Sequence, residues 1–396
     1  MWSLVVLPRI VIWGFFMQNI WEKVGEAHDA FYMKQAIELS KKGMGFVNPN
    51  PLVGAVIVKE NRVIGKGWHE YFGGPHAEIN AIKDAKGQTE GATLYVTLEP
   101  CSHYGKTPPC SLAIIQNKFS RVVVGSSDPN PLVAGGGITM IRNAGIEVQS
   151  GIMEKEVQEL NEVFFKFIRT QQPFVVLKTA MSLDGKIATA TGNSRWISGE
   201  TSRKRVHELR NRYAAIMVGI NTVLNDDPLL NVRDLEGKTK NPVRVVVDSK
   251  ARIPLESKLL NTPEISETIV AVTNKAPESK IKALTDKGAR VLVCPALEGR
   301  VDLRFLMQEL AGRGIDSILL EGGGTLNFEA LKQGIVDKVV AFVAPKILGG
   351  AQALTPVEGA GFALLPNAVQ IQNLKACNSG EDIMLTGYVK TVHKVH

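Results

Sequence analysis

The chain has 396 residues, a formal net charge of +7 at pH 7 and four cysteines. This length predicts two or three domains, and a hydrophobic content of 44% is typical of globular proteins with sizeable cores. The modest positive charge suits small anionic substrates as well as nucleic acid, so it excludes neither class. Four cysteines are too few for a disulfide framework and indicate a reducing compartment.

The first 27 residues are predicted to form a non-catalytic extension. They are largely apolar, but Pro8 and Arg9 interrupt them, and the longest apolar run, Ile10–Met17, falls short of the roughly 20 residues that span a bilayer. The segment also lacks the basic start and the small-residue cleavage site of a signal peptide. A translation start set too far upstream and a segment that lies on a membrane surface are both open interpretations. We favour the former and predict a cytoplasmic protein with no membrane partner.

Residues 28–150 carry the pattern of a first α/β domain. The apolar spacing of residues 31–39 predicts a helix that ends near Gly43. Runs rich in β-branched residues predict strands at Val53–Val58, Arg62–Gly67, Thr93–Leu98 and Arg121–Gly125. Helical segments separate most of these strands, and this alternation predicts helices layered on a sheet.

The stretch from Pro75 to Cys110 contains the most specific pattern in the chain. His76 and Glu78 belong to a His-Ala-Glu triplet, Cys101 follows a Glu-Pro pair, and eight residues separate Cys101 from Cys110. One imidazole and two thiolates make three ligands for a tetrahedral zinc ion and leave the fourth position open for water, as in catalytic sites. Zinc lowers the pKa of such a water to about 7. Glu78 is free to carry protons because it is not a ligand.

This arrangement is close to that of zinc deaminases, in which His-x-Glu precedes Pro-Cys-x-x-Cys, but its two cysteines lie farther apart. Cys101 lies at the exit of a predicted strand, and Cys110 follows two prolines that suit the start of a helix, where a thiolate is favoured. The alternative is that these residues fill ordinary core or surface positions, but their order speaks against it. Cys294 and Cys377 are isolated in apolar stretches, and we interpret them as core residues.

Two further segments complete the first half of the chain. Residues 135–137 are three glycines before a predicted helix, and they resemble a phosphate loop. They lack the G-x-G-x-x-G pattern, so we interpret them as a turn. Residues 151–172 are predicted to form one amphipathic linker helix that ends before Pro173. This segment marks the predicted boundary of a second domain, residues 173–396.

The second domain repeats the alternation of strands and helices and is again predicted to be α/β. Its predicted strands lie at Phe174–Ala180, Ala214–Gly219, Val243–Asp248, Thr268–Thr273, Arg290–Cys294, Ser317–Glu321, Lys338–Ala344, Ile371–Ala376 and Ile383–Val389. Its predicted helices lie at Thr201–Arg212, Pro277–Lys287, Leu303–Gly312 and Thr325–Gln333.

The chemistry of the second half is more dispersed. Glu321 precedes three glycines that join a strand to a helix, so backbone N–H groups and the helix N-terminus can approach a phosphate there. A tight turn without a ligand is the alternative, since the G-x-G-x-x-G pattern is absent. Arg210 and Arg233 suit bidentate phosphate binding, although an isolated arginine is more often only a surface charge.

Together, the motifs of both halves resemble the RibD family, the bifunctional deaminase-reductases of riboflavin biosynthesis. The resemblance runs from Phe31 to Tyr388 and rests on NPNPLVGAVIV, GGPHAE, TLEPCSHYGKTPPC, DPNPLVAGGG, LNEVFFKF, KTAMSLDGKIA, WISGE, TVLNDDPLLNVR and LLEGGGTLN. The wide spacing of the two cysteines, which departs from the general deaminase pattern, is the pattern of this family.

The resemblance implies a cytidine-deaminase-like three-layer α/β/α domain followed by a dihydrofolate-reductase-like α/β domain. The first would use zinc, with Glu78 as general acid and base, to remove the 2-amino group of 2,5-diamino-6-ribosylamino-4(3H)-pyrimidinone 5′-phosphate. The second would use NADPH to reduce the ribosyl side chain to ribityl. The implied partners are this pyrimidine nucleotide and, as is common in the family, further copies of the chain.

By motif, the resemblance also assigns binding residues. Asn50 would hold the pyrimidine, with His69 and Lys106 as further contacts, and Lys178 would orient or protonate the sugar or serve the fold alone. NADP(H) would meet Ala180, Trp196, Thr222, Asp226, Ser249, Gly323, Gly324, Thr325, Leu326, Asn327, Phe328 and Glu329. The ribosyl-phosphate substrate would meet Ser194, Arg210, Leu230, Arg233 and Glu321.

Two other functions stay open on the sequence alone. A nucleic-acid-editing deaminase would use the same zinc chemistry, but it requires a basic groove, and no basic stripe with interleaved aromatic residues is visible. A binding or scaffold protein with an inactive first half would not need the intact zinc motif. We therefore predict an enzyme that acts on a small molecule and has no nucleic-acid partner.

Overall fold

The computed structural model describes residues 25–104, 108–130 and 134–390. Contacts between Cα atoms divide the chain into two compact units, with the division between Arg169 and Thr170. Most of the predicted N-terminal extension, as well as Lys106, lies outside the described residues. No helix within the described ranges combines the length and the apolar character needed to cross a membrane.

The first unit is a five-stranded sheet with helices on both faces. Its elements in chain order are α1 (residues 25–40), a 3₁₀ helix (Lys41–Gly43), β1 (Gly54–Lys59), β2 (Arg62–Trp68), α2 (Ala77–Asp84), β3 (Thr93–Leu98), α3 (Cys110–Gln116), β4 (Arg121–Ser126), α4 (Gly136–Asn143), β5 (Glu147–Ser150), α5 (Glu154–Leu160) and α6 (Glu162–Thr170). The strand order is β2-β1-β3-β4-β5. β1 is antiparallel to β2 and β3, whereas β3, β4 and β5 are parallel.

Continuous apolar runs explain the central strands of this sheet. Neighbouring residues of a strand point to opposite faces, and in β1 and β3 both sets are buried because helices cover each face. Ala55 and Leu94 pack with α2, α3 and α4 on one face, whereas Val56 and Tyr95 pack with α1 and α5 on the other. The first unit is therefore the three-layer α/β/α domain that the resemblance implies.

The prediction of one linker helix over residues 151–172 is wrong. The structure has two helices, α5 and α6, which are separated at Asn161. The buried Asn161 side chain accepts the Leu52 N–H at 2.8 Å and donates to the Leu52 carbonyl oxygen at 3.0 Å. Val157 and Phe165 pack into apolar clusters of the first unit. The two helices therefore belong to that unit instead of linking two domains.

The second unit is built on a nine-stranded sheet. Its elements are β6 (Phe174–Ser182), α7 (Glu200–Arg212), β7 (Ala215–Gly219), α8 (Ile220–Asp226), β8 (Val243–Val247), β9 (Thr268–Val272), α9 (Glu278–Asp286), β10 (Arg290–Val293), β11 (Ala296–Leu297), β12 (Arg300–Val301), α10 (Leu303–Ala311), β13 (Ser317–Leu320), α11 (Gly324–Lys332), β14 (Lys338–Ala344), a 3₁₀ helix (Leu365–Asn367), β15 (Ile371–Ser379) and β16 (Asp382–Val389). The strand order is β10-β9-β8-β7-β13-β6-β14-β16-β15, and β11 pairs with β12 in a separate small sheet. The strands from β10 to β14 are parallel, and β16 and β15 extend the sheet in antiparallel fashion.

The position of β13 interrupts the sequential strand order of the second unit, and at such a point open α/β sheets typically form a crevice. Strands β7 to β10 follow one another outward, but β13 returns to lie between β6 and β7. The carboxyl ends of these three parallel strands meet at one edge, which is where open α/β sheets bind ligands. Helices α10 and α11 cover one face of the sheet, and α8 and α9 cover the other. The loops at this edge therefore rest on a packed core.

The predicted α/β class is confirmed for both units, and most predicted strands appear close to their predicted bounds. Thr93–Leu98 and Lys338–Ala344 match at both ends, whereas the short elements β5, α8, β11 and β12 are absent from the prediction. Cys294 is buried as predicted. The prediction for Cys377 is wrong, because it lies exposed on β15, an edge strand whose residues are nearly all exposed.

Candidate active sites in the two units

Three elements of the first unit converge on the predicted zinc ligands. His76 is the N-cap of α2, Cys101 follows β3, and Cys110 is the first residue of α3, directly after the N-cap Pro109. Helices α2 and α3 pack on the same face of the sheet. This packing brings their N-termini together beside the carboxyl end of β3.

The three side chains are close enough to hold one metal ion. Nδ1 of His76 lies 3.6 Å from Sγ of Cys101 and 3.3 Å from Sγ of Cys110, and the three ligand atoms lie within 4.8 Å of one another. Tetrahedral zinc, with bonds of about 2.0 Å to nitrogen and about 2.3 Å to sulfur, separates such atoms by about 3.6 Å. The donor set therefore fits zinc with one coordination position left open. Within the described ranges, no other His, Cys, Asp and Glu side chains form such a group.

Mutual hydrogen bonds set the charges of the three ligands. The Cys110 thiol, the His76 ring and the Cys110 backbone N–H, 3.3 Å from Sγ, lower the pKa of Cys101 to about 4. The contact with Cys101, together with burial, raises the pKa of Cys110. The hydrogen bond to Cys101 raises the pKa of His76. Of the two thiols, that of Cys101 is therefore the more readily deprotonated, and zinc binding requires deprotonated sulfur ligands and a neutral imidazole.

Glu78 lies beside these ligands in the first turn of α2 and is almost fully buried. Burial raises the pKa of its carboxyl group, and this effect outweighs the opposing effect of the His76 charge. Interaction with the Cys110 side chain opposes the rise in the pKa of the Glu78 carboxyl group. A buried carboxyl group with a raised pKa, next to the ligands but not one of them, is suited to take up and release protons.

Asn50, the predicted pyrimidine contact, reaches the same site through His69. Nδ2 of Asn50 lies 3.1 Å from Nε2 of His69, and Nδ1 of His69 lies 2.9 Å from the carbonyl oxygen of Pro75. These partners assign the ring proton to Nδ1 and leave Nε2 to accept the hydrogen bond from Asn50. Burial lowers the pKa of His69, which favours this neutral form. The His69 ring stands edge-on to His76, with 5.7 Å between the ring centroids.

The structure adds Glu99 to the site, a residue that the sequence analysis leaves without a role. Glu99 is buried, directly precedes Pro100 and Cys101, and accepts hydrogen bonds from N–H groups in the glycine loop at residues 135–137. The interpretation of the three glycines as a turn holds only for Gly135, since Gly136 and Gly137 begin α4, and a side chain of the protein takes the N–H groups that a phosphate would need. One signal in the sequence points to a role for Glu99. An apolar residue is usual at the end of a buried strand, and a glutamate stands there instead.

In the second unit, Glu321 joins two other residues in an ion cluster at the end of β13. Its Oε1 lies 2.7 Å from Nε of Arg210, and its Oε2 lies 3.0 Å from Nη2 of Arg210 and 3.3 Å from Nζ of Lys178. Arg210 also donates to the carbonyl oxygen of Asn231 at 3.1 Å. The bidentate pair fixes the guanidinium group at the crevice.

The ion cluster carries fixed charges. Burial would raise the pKa of Glu321, but the charges of Arg210 and Lys178 outweigh it and lower the pKa to about 2. His207, one helical turn before Arg210, is buried, and its Nδ1 has no hydrogen-bond partner among the described residues. Burial and the Arg210 charge lower the pKa of His207 to about 4. At neutral pH the cluster therefore holds an ionised Glu321 between two basic side chains, beside a neutral imidazole.

The glycine loop between β13 and α11 has an open surface at Gly323. A Cβ atom added to Gly323 would meet only Oγ1 of Thr222, at 3.9 Å, among the described atoms. Gly324 is covered, since a Cβ atom added there would lie 2.5 Å from Cγ of Glu358. An uncovered glycine at the N-terminus of a nine-residue helix fits the phosphate groups of a dinucleotide cofactor.

The other predicted contacts in the second unit differ in how exposed their side chains are. Leu230, Leu326 and Phe328 are buried, so their side chains offer little surface to a ligand. Asn327 is also buried, and it braces the loop by donating to the carbonyl oxygen of Gly322 at 3.0 Å. Partly or fully exposed side chains belong to Ala180, Ser194, Trp196, Thr222, Asp226, Arg233, Ser249, Thr325 and Glu329.

Comparison with known families finds matches in both halves of the chain. The model of the cytidine and deoxycytidylate deaminase zinc-binding region matches residues 26–126, and the model of the RibD C-terminal domain matches residues 173–385. The riboflavin biosynthesis protein RibD of Actinobacillus pleuropneumoniae is 49% identical over 357 residues, which cover 90% of this chain and 94% of the relative.

Solved structures of relatives match over most of the chain as well. RibD from Acinetobacter baumannii superposes with a TM-score of 0.81 at 39% identity and covers 92% of this chain and 100% of its own. A diaminohydroxyphosphoribosylaminopyrimidine deaminase/5-amino-6-(5-phosphoribosylamino)uracil reductase from Thermotoga maritima gives the same TM-score, identity and coverage.

Proposed function

This chain belongs to the RibD family of riboflavin-biosynthesis enzymes, and we propose that it carries out both family reactions with the side chains described above. It is a zinc-dependent deaminase and an NADPH-dependent reductase. The first reaction hydrolyses the 2-amino group of 2,5-diamino-6-ribosylamino-4(3H)-pyrimidinone 5′-phosphate and releases ammonia. The second reduces the ribosyl side chain and yields 5-amino-6-ribitylamino-uracil 5′-phosphate. The observation that carries the proposal is the cluster of His76, Cys101 and Cys110 beside the buried Glu78.

We assign deamination to the first unit and reduction to the second, and we assign no catalytic role to residues 1–27. The His76, Cys101 and Cys110 side chains would hold the zinc ion, which when bound would supply a water of lowered pKa as the nucleophile. The Glu78 carboxyl group would take one proton from the attacking water and pass it to the ring nitrogen, and it would then carry the remaining hydroxyl proton to the amine, which leaves as ammonia. His69 accepts a hydrogen bond from Nδ2 of Asn50, and this orientation turns the amide oxygen of Asn50 into the acceptor for the pyrimidine.

The second unit positions two ligands for a transfer in which NADPH supplies the hydride. Gly323 and Thr222 form the open surface for the cofactor phosphates at the N-terminus of α11. Glu321 stays ionised and holds the Arg210 and Lys178 side chains in place for the phosphorylated substrate. The other proposed cofactor contacts are Ala180, Trp196, Asp226, Ser249, Gly324, Thr325, Leu326, Asn327, Phe328 and Glu329. The other proposed substrate contacts are Ser194, Leu230 and Arg233.

The chain is further proposed to self-associate and to act in the cytoplasm. β15 is an edge strand on which apolar side chains such as Leu374 and Ile371 are exposed, and an exposed edge strand favours pairing with a second chain. All four cysteines are free, which suits a reducing compartment. Sedimentation analysis of the purified chain tests the self-association, and a monomer at every concentration would contradict it.

The experiment that tests the two reactions supplies the diaminopyrimidine nucleotide to the purified chain with and without NADPH. Without NADPH we expect ammonia release and a product that retains the ribosyl group. With NADPH we expect loss of cofactor absorbance and a product with the mass of the ribityl compound. An RNA oligonucleotide serves as the control substrate and should remain unchanged. Absence of ammonia release from the nucleotide would contradict the proposal.

A further inference from the structure

The carboxylate of Glu99 is bound by backbone N–H groups at the N-terminal end of α4. Its Oε1 accepts hydrogen bonds from Gly137 at 3.1 Å and Ile138 at 3.3 Å. Its Oε2 accepts hydrogen bonds from Gly135 at 3.0 Å and Asp128 at 3.3 Å. Hydrogen bonds from a helix N-terminus to a carboxylate are charge-assisted and therefore strong. The buried side chain thus has two donors on each oxygen atom.

The glycine loop at this helix end packs directly against the segment that carries a zinc ligand. A Cβ atom added to Gly136 would lie 2.7 Å from Oγ of Ser102. A Cβ atom added to Gly137 would overlap the carbonyl oxygen of Pro100. The loop therefore touches both residues that flank Cys101, and larger side chains in the loop would push that segment away.

The opposite side of the segment is held by α3 and by the sheet. The carbonyl oxygen of Cys101 accepts the Ser111 N–H at 3.2 Å, and its Sγ accepts the Cys110 N–H at 3.3 Å. The Glu99 N–H donates to the carbonyl oxygen of Ser126 at 3.0 Å. Residues 99–102 therefore lie between α3 and α4, and the Glu99 carboxylate provides the charged connection to α4.

We propose that Glu99 is a positioning residue for the zinc centre: its carboxylate ties residues 99–102 to α4 and so holds Cys101 at the distance that zinc requires from the other two ligands. This inference rests on the proposed zinc-dependent deamination. Within the described ranges Glu99 contributes no atom to the ligand cluster, and it acts through the backbone of the residue that does. Loss of such a supporting group typically weakens metal binding by about 10- to 100-fold.

Glu99→Gln tests the connection with almost no change of volume. Each carboxylate oxygen accepts two N–H groups, so either orientation of the new amide directs an NH₂ group at two donors. Glu99→Asp keeps the charge but is one methylene shorter, and it should behave between Glu99→Gln and the wild type. Glu90→Gln is the matched control, because Glu90 is an exposed glutamate of the same unit that pairs with Lys118.

The measurement is the rate at which the zinc-loaded full chain releases its metal to an excess of a colorimetric chelator. We expect Glu99→Gln to release zinc about 10- to 100-fold faster than the wild type. Glu90→Gln should match the wild type. In the cobalt-substituted protein, the thiolate-to-metal absorption should change in Glu99→Gln because Cys101 moves. NADPH-dependent reduction of the deaminated nucleotide reports on the second unit of the same chain and should stay unchanged.

The outcomes separate this inference from the proposed function. A Glu99→Gln chain that folds and releases zinc at the wild-type rate would overturn the inference, even if its melting temperature is lower. If that variant does not fold, Glu99→Asp carries the test, and a wild-type rate of release from it would overturn the inference. A wild-type chain that binds no zinc would instead overturn the proposed function.

Discussion

The two units each contain a buried glutamate, and the surroundings give the two side chains opposite properties. Glu78 lies beside an imidazole and two sulfur atoms, and burial raises the pKa of its carboxyl group. Burial acts on Glu321 in the same direction, but Arg210 and Lys178 outweigh it and lower its pKa to about 2. The neighbouring charges, more than burial itself, decide whether a glutamate can carry protons or stays a fixed anion.

The two sites also differ in how far apart their residues lie along the chain. His76 and Cys110 are 34 positions apart, whereas Glu321 lies 111 positions from Arg210 and 143 positions from Lys178. The zinc centre is a local motif at the ends of three neighbouring elements. The ion cluster exists only where β6, β13 and α7 come together. Because the sites share no residue, a variant of one site should leave the reaction of the other unchanged.

Cys101→Ser is expected to have the largest effect, because it removes one of the three metal ligands. The purified variant should lose both its zinc and its deaminase activity, while it still reduces the deaminated nucleotide. Zinc is measured by atomic absorption, and Cys377→Ser, at an exposed cysteine of the second unit, is the control. A full zinc content in Cys101→Ser would show that the ligand assignment is wrong.

Glu78→Gln should keep the metal and lose the proton transfer. We expect deamination to slow by about 10²- to 10⁴-fold, which is the usual contribution of a general acid and base. Zinc content and the rate of the second reaction should equal those of the wild type. Ammonia release measures the effect, and the exposed Glu90→Gln is again the control. Deamination at an undiminished rate would refute the role assigned to Glu78.

Arg210→Ala tests the fixed charges of the second unit. It leaves the buried Glu321 carboxylate with Lys178 as its remaining cation, and breaking a buried pair typically destabilises a protein by about 3 kcal/mol or more. The KM for the ribosyl nucleotide should rise more than the KM for NADPH. Denaturant unfolding and steady-state kinetics measure both effects.

The control for Arg210→Ala is Arg313→Ala, since Arg313, which follows the end of α10, pairs with Glu309 of that helix at the protein surface. Its effect on the free energy of unfolding should stay below about 1 kcal/mol. Equal losses of stability in the two variants would mean that the Glu321 cluster contributes no more to the free energy of unfolding than an exposed ion pair does.

Gly323→Ala should have the smallest effect on the fold and a selective effect on the cofactor. The backbone of Gly323 has a φ of −70°, and an added Cβ atom meets only Thr222 at an ordinary distance among the described atoms, so alanine fits the structure. We expect the KM for NADPH to rise about tenfold, equivalent to about 1.4 kcal/mol, because the methyl group takes space intended for a phosphate.

Gly312→Ala is the matched control for this variant. An alanine Cβ at position 312 would lie at 3.6 Å or more from its neighbours. Gly312 is the C-cap of α10 and precedes β13, so it lies at the opposite end of that strand from Glu321. It should leave both KM values unchanged. An unaltered KM for NADPH in Gly323→Ala would mean that the phosphate groups bind elsewhere.

The mistakes of the sequence analysis have identifiable causes. The helical periodicity of apolar residues in 151–172 continues through Asn161. The Asn161 side chain, however, forms hydrogen bonds with the backbone of Leu52, more than a hundred positions away, and α5 ends there. The apolar surroundings of Cys377 do not distinguish a central strand from the exposed edge strand β15. Glu99 resembles any acidic residue after a strand until its four N–H donors, from two other segments, are known.

The sequence by itself determined the α/β class, the strands with continuous apolar runs and the zinc motif of His76, Glu78, Cys101 and Cys110. The strands follow from residue spacing within short stretches, and the zinc motif follows from the ligand chemistry of its side chains. Only the tertiary structure decided that β13 lies between β6 and β7, that Glu321 is held by two cations, and that Glu99 connects a zinc-ligand segment to α4. These features depend on pairing between distant parts of the chain, and the burial and charge that each group experiences follow from that pairing.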